Sequence, residues 1–209
     1  MTALGRVKRS WEWVAAVLGL VGLAPLMVLL AVLVKCTSRG PIFYISERLG
    51  CGGRVFRLIK FRSMTVNSPR FIAADGKVLT LKNDPRLTPI GTFLRLGFDE
   101  LPQLFNIVRG EMTLVGPRPD VPSEFERYTA RERRRLEVAP GITGLAQVVG
   151  GREMNNAQNY ELDVRYVEKA TLGTDLLILM VTLPYSFGAT RLGQGVLRNY
   201  MEGIEQFER

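Results

Sequence analysis

Asp99 and Glu100 stand side by side in a chain that contains no histidine. Without histidine, Ser-His-Asp and Cys-His nucleophile systems and His-ligated zinc are excluded. Acid–base and nucleophilic work falls to Asp, Glu, Lys, Tyr or Cys. An acid pair at the start of a helix is most simply charge that complements the helix dipole. The surroundings give it another meaning. Arg95 precedes the pair by about one turn, Arg118 lies between Pro117 and Pro119, and Arg152 follows Gly150-Gly151. Arginines on rigid turns suit phosphate, whose oxygens the planar fork grips in pairs. A helix N-terminus adds free N–H groups for an anion. Carboxylates beside arginines and a phosphate point to Mg²⁺, which takes one or two carboxylates plus phosphate oxygens. With no His and no activated Cys, an Asp carboxylate is the plausible covalent nucleophile toward phosphorus. Neither a Walker loop nor GxGxxG is present, so the common nucleotide folds are not indicated.

Several elements must position these groups. Residues 42–45 and 55–61 are rich in β-branched and aromatic types, with Gly50, Gly52 and Gly53 between them, and read as a hairpin. Residues 67–89 are polar and carry Asp75-Gly76 and Asn83-Asp84-Pro85, which predict loop and turn. Short helices are expected over 90–96 and 99–108, the second with Pro102 in its first turn and Gly110 as its stop. Residues 115–119 read as a rigid loop. Residues 123–138 read as a charged helix, with Ser123 and Glu126 at capping-box spacing. Its Arg131, Arg133, Arg134 and Arg135 are expected on a solvated or lipid-facing surface. A turn at 140–144 and a helix over 159–170 follow, with Tyr160 and Tyr166 as packing residues. The apolar run 176–187 is too short to span a bilayer and fits a core or interfacial helix.

The chain has 209 residues and a net charge of +8. That length accommodates one domain, or one domain and a small appendage. The positive excess calls for an anionic partner: nucleic acid, a lipid surface or a phosphorylated substrate. Cys36 and Cys51 are too few for a disulfide scaffold and read as free thiols. Residues 13–34 carry no charge and are long enough to cross a bilayer core of about 30 Å. The run lacks a small-x-small cleavage site, so it reads as retained. Pro25 interrupts it, and basic residues flank both ends: Arg6, Lys8 and Arg9 before, Lys35 and Arg39 after. Positive charge prefers the cytoplasmic side. On the residues alone, a re-entrant helix–break–helix and a Pro-kinked transmembrane helix stand about level.

The motifs, in order, are Ile42-Phe43 with Glu47-Arg48-Leu49-Gly50; Lys60-Phe61-Arg62-Ser63-Met64; Asp99-Glu100-Leu101-Pro102-Gln103-Leu104-Phe105-Asn106; Val115-Gly116-Pro117-Arg118-Pro119; and Pro140-Gly141-Ile142-Thr143-Gly144-Leu145-Ala146-Gln147-Val148. In this order they resemble the bacterial sugar transferase family, the monotopic polyprenyl-phosphate phosphoglycosyl transferases, over nearly the whole chain. The resemblance implies transfer of a sugar-1-phosphate from a UDP-sugar to undecaprenyl phosphate, with release of UMP, Mg²⁺ as cofactor and a phospho-aspartyl intermediate. It implies Asp99 as nucleophile and Glu100 as its acidic partner at the metal. Arg95 and Arg118 match phosphate-handling arginines, while Lys60, Arg152 and Asp163 fall in family motifs, Asp163 as a second candidate for the metal. Pro25 matches the proline that breaks the re-entrant helix. The sequence departs from the pattern at Ala24, where Ser is frequent, in a shorter stretch between Arg95 and Asp99, and at Ala139, which replaces a basic residue.

The expected fold is α+β and mainly helical. It has a re-entrant membrane helix with basic flanks over 1–39 and a catalytic body over 40–209, with a short β-hairpin and interfacial amphipathic helices. The expected place is the cytoplasmic face of the bacterial inner membrane, among membrane lipids. The sequence does not fix the oligomeric state, a homodimer being one option, nor the sugar. Two rivals remain. A non-catalytic module binding anionic lipid leaves the block 99–119 unexplained. A nucleic-acid binder lacks the aromatic-rich basic stripe such proteins use, so no nucleic acid is expected as partner.

Overall fold

Ala16, Leu20, Leu23, Met27, Leu30 and Val34 recur at alternating steps of four and three, which aligns them along one stripe of a helix. A computed structural model describes residues 3–69, 84–150 and 154–186, and in it that helix is α1, Ala3–Thr37. The stripe is covered by protein. The opposite side is also apolar but uncovered, with Val14, Leu18, Val21, Val28, Leu29 and Val32 all exposed. The stretch Lys8–Thr37 is long and apolar enough to cross a membrane, and its most apolar part is 17% buried. A core helix would be mostly buried. So much exposed apolar surface needs a second nonpolar phase, and α1 associates the chain with a membrane. The helix continues through Pro25, which is exposed. Proline removes one backbone hydrogen bond and can bend a helix without ending it.

The chain divides into two compact units, Met1–Glu47 with Arg57–Gly110, and Arg48–Phe56 with Glu111–Arg209. The predicted membrane segment, residues 1–39, falls inside the first. The hairpin expected from the β-branched runs is present as β1, Phe43–Leu49, and β2, Val55–Phe61. In the first unit, α2 (Gly91–Leu94) and α3 (Gln103–Val108) follow. Met27, Leu30 and Val34 of α1 form a core with Phe61 and Leu94, joined by Phe98 and Leu101. Nearer its start, α1 is tied to the end of α3, where Trp13 Nε1 donates to the Val108 carbonyl at 3.3 Å. Beyond β2, Thr65 N–H donates to Arg86 O at 2.7 Å and Thr88 N–H to Ser63 O at 3.0 Å. Part of the loop expected at 67–89 lies outside the described residues.

In the second unit, β3 (Thr113–Val115) and β4 (Gly141–Thr143) pair in parallel, Thr113 opposite Gly141 and Val115 opposite Thr143. The sequence predicts a turn at 140–144; Gly141–Thr143 instead completes this ladder. Gly116 lets the two segments approach, because a Cβ there would lie 2.6 Å from the Ala139 carbonyl oxygen. Val115, Leu145, Val148, Tyr166, Ile178 and Val181 make the core, with α4 (Asn156–Lys169) and α5 (Leu172–Ser186) supplying the last three. Tyr166 is a packing residue, as expected, and its hydroxyl also bonds Val115 O at 3.0 Å and Asp175 at 2.6 Å.

The charged helix expected over 123–138 is not formed. Two 3₁₀ turns, Pro122–Arg127 and Glu132–Glu137, stand in its place. Tyr128 between them is extended and buried, and its hydroxyl donates to Asp120 at 2.7 Å. The Ser123/Glu126 spacing makes no side-chain cap. The reciprocal bonds occur at Thr129 and Glu132 instead, at 2.8 and 3.2 Å, and a full capping box starts α4 at Asn155 and Gln158. The architecture is α+β, with a long apolar N-terminal helix, a small hairpin and short helical pieces.

Candidate active site

Gly97 adopts φ +112°, a left-handed conformation that ends the preceding turn and that L side chains rarely take. The chain then closes the 3₁₀ turn Phe98–Glu100, with Glu100 N–H donating to Gly97 O at 3.1 Å. Phe98 and Leu101 are packed into the α1 core, and Phe98 stacks on Phe93 with centroids 4.7 Å apart. Asp99 and Glu100 are therefore presented, half-buried, between two apolar anchors. The single helix expected over 99–108 is not formed. Pro102 has no N–H to give, so α3 begins at Gln103 and Asp99 lies in the tight turn before it.

Lys60 of β2 comes to this turn and forms an ion pair with Glu100. Both side chains are largely covered, 16% and 21% exposed, so the charges are only weakly screened. The placement of Lys60 depends on a residue that the sequence motifs do not single out for chemistry. Asn106 of α3 is fully buried and bonds the backbone of β2, accepting from Ile59 N–H at 3.2 Å and donating to Arg57 O at 2.7 Å. It substitutes for a neighbouring strand and holds β2 against α3. Its side-chain amide carries one donor and one acceptor group, a signal legible only once the two elements are known to be adjacent. Arg95, the C-cap of α2, is half-buried in the same unit.

The second unit holds another constellation. Arg118 is exposed between buried Pro117 and Pro119. Asp163, on α4, is 2% exposed and accepts from Arg135 Nη2 and Nε at 2.6 and 3.1 Å. Arg135 is the departure from the expected basic surface. Arg131 and Arg134 do lie at the surface, paired with Glu161, Glu168 and Glu137. Arg135 is buried at 3% exposure and also donates to Asp120, to the Tyr128 hydroxyl at 2.7 Å and to the Arg118 carbonyl at 2.7 Å. Its guanidinium lies 4.5 Å from the centroid of the Tyr160 ring. Burial pushes the Asp163 carboxyl up to about 6, with Arg135 limiting the rise. Burial also works against the Arg135 charge, but Asp163 and Asp120 outweigh it and raise its pKa. Arg152 lies outside the described residues.

The chain matches the family model described as bacterial sugar transferase over residues 4–189. The chain belongs to the bacterial sugar transferase family. It is accordingly an enzyme of the phosphoglycosyl transferase class. Among its relatives, the exopolysaccharide production protein ExoY of Sinorhizobium fredii is 40% identical over 86% of this chain and 85% of that protein. The undecaprenyl-phosphate glucose phosphotransferase of Komagataeibacter xylinus is 40% identical over 84% of this chain and 35% of its own length. The undecaprenyl-phosphate galactose phosphotransferase of Salmonella typhimurium is 39% identical over 84% of this chain and 39% of its own length. This chain thus matches most of one relative of similar size and part of two longer ones.

Asp99 and Glu100 are hard oxygen donors in consecutive positions of one tight turn, a donor set that fits Mg²⁺. Among the described residues, no group of three His, Cys, Asp or Glu could hold a metal ion. A cation there would rely on oxygens from the substrate.

Proposed function

We propose that the protein transfers a sugar-1-phosphate from a UDP-sugar to undecaprenyl phosphate, releasing UMP, in two steps through Asp99. The observation that carries this reading is the turn Phe98–Glu100, in which two adjacent carboxylates are anchored on both sides and one is held by Lys60. Such a pair divides labour. Asp99 attacks the β-phosphorus of the UDP-sugar; a P–O bond forms to its carboxylate, the bond to UMP breaks, and UMP leaves. The phosphate oxygen of undecaprenyl phosphate then attacks the same phosphorus and restores the Asp99 carboxylate. Glu100, with its charge offset by Lys60, orients the reacting groups.

Glu100 and Asp99 would hold Mg²⁺, which offsets the charge between a carboxylate and an anionic diphosphate. Asp163 would reach a cation only by releasing Arg135, so we place it with the Arg118 loop. Arg95 and Arg118 handle phosphoryl oxygens, consistent with their place on fixed turns. The two longer relatives are undecaprenyl-phosphate sugar phosphotransferases by name, which supports undecaprenyl phosphate as acceptor.

We place the body on the cytoplasmic face, with α1 entering and leaving the bilayer on that side. Basic residues flank both ends of the apolar run, Lys8 and Arg9 before it and Lys35 and Arg39 after it, and positive charge prefers the cytoplasmic side, which supports both ends facing that side. A straight helix over Lys8–Thr37 would be about 45 Å long, more than the bilayer core requires.

UMP release, followed with undecaprenyl phosphate and a panel of UDP-sugars, tests the reaction. Activity should vanish in Asp99→Asn, vanish in EDTA and return with Mg²⁺. Full rates in the variant or in EDTA contradict the nucleophile or the metal respectively.

A further inference from the structure

Residues 116–120 form a loop with two prolines, so Pro117 and Pro119 have no N–H with which to anchor it. The loop is instead held by its carbonyls, four in succession. Pro117 O accepts from Gly141 N–H at 3.0 Å, Arg118 O from Arg135 at 2.7 Å, Pro119 O from Arg48 at 3.5 Å, and Asp120 O from Leu49 N–H at 2.8 Å. The anchor at Arg118 is the only charged one that is buried among these described contacts. It is also the anchor at the residue whose side chain the loop exposes.

We infer that Arg135 is a positioning residue for phosphoryl transfer: its buried guanidinium fixes the Arg118 backbone and so decides where the Arg118 side chain is presented. The inference rests on the reading of Arg118 as a phosphate ligand. The geometry calls for a guanidinium. Nε and Nη2 hold Asp163, Nη2 also takes Arg118 O, and Nη1 takes Asp120 and the Tyr128 hydroxyl. Tyr128 closes the network by donating to Asp120 at 2.7 Å. Three nitrogens in one plane thus join the loop, a 3₁₀ turn and α4. A lysine ammonium keeps the charge but cannot serve these acceptors in a planar fork. Arg131, one turn earlier in the same basic run, makes no such junction; it is 52% exposed and pairs with Glu161 at the surface.

A double-mutant cycle on the full chain in lipid nanodiscs tests this, read as kcat and KM for UMP release. Arg118→Ala and Arg135→Lys should each lower kcat/KM roughly ten- to a hundred-fold, the range expected when a contact is lost or misplaced by about 1 Å. The double variant should be no worse than Arg118→Ala, because a loop without its arginine has nothing left to misplace. Arg131→Ala, from the same basic run, should retain activity. Losses that multiply in the double variant overturn the inference and leave Arg118 as a phosphate ligand. A fully active Arg118→Ala overturns that reading of Arg118 and the inference with it. If Arg135→Lys shows no cooperative melting, Tyr128→Phe enters the same cycle, with the same two outcomes.

Discussion

Asp163 carries the clearest electrostatic signature among the site residues. A carboxyl near pH 6 in the folded protein, against about 4 in an unfolded chain, binds a proton on folding between those values. Its contribution to stability is therefore fully present below about pH 4 and is lost as pH rises through 6. Relative to Asp163→Asn, the wild type should lose stability across that window, and carboxyl-carbon NMR should place the midpoint near 6. A midpoint near 4 contradicts the dominance of burial at this site. At this scale the sequence showed the charges but not their partners. Asp99, Glu100 and Lys60 are legible as motif residues, and the structure adds that Lys60 meets Glu100. Arg135 is indistinguishable in sequence from Arg133 and Arg134; only the inward turn of Tyr128 beside Asp120 creates its buried place.

Between elements, Asn106 does for β2 what a third strand would do. Replacing it with Leu keeps the branched shape but strands the Ile59 N–H and the Arg57 carbonyl. Because both bonds are only part-buried, the cost is about 1 kcal/mol for each group left unpaired, the low end of the range for buried groups. Asn106→Leu should lower the melting temperature in detergent, with Asn106→Asp in between, since it keeps the acceptor for Ile59. A Leu variant as stable as wild type contradicts this role. Elements with a repeating apolar or β-branched pattern were legible: α1, the hairpin, α4 and α5 each appear near the predicted residues. Those set by a single local conflict were not. Pro102 pushed the start of α3 to Gln103, and Tyr128 split a charged run that has helical composition but no apolar stripe. The Gly141–Thr143 strand was hidden because three residues have no visible period, and only the close approach at Gly116 reveals it.

For the whole molecule, α1 sets the relation to the membrane. Cys36, exposed near its end, is a native probe, and Ser10→Cys in a Cys51→Ser background supplies one at the other end. Both should react with an impermeant thiol reagent from the same side of sealed vesicles. Labelling from opposite sides contradicts the re-entrant reading and favours a crossing helix. The match to a relative of similar size, across 85% of its length, and to part of two longer relatives shows that this set of elements recurs both near this size and within larger chains. The account turns on Asp99 becoming phosphorylated. Incubation of the purified protein with UDP-sugar and Mg²⁺, without lipid acceptor, followed by intact mass measurement, tests this most directly. The account predicts a sugar-phosphate adduct on the wild type, released by undecaprenyl phosphate and absent from Asp99→Asn. No adduct, together with initial-rate patterns that require both substrates bound at once, would contradict it and leave a single direct displacement.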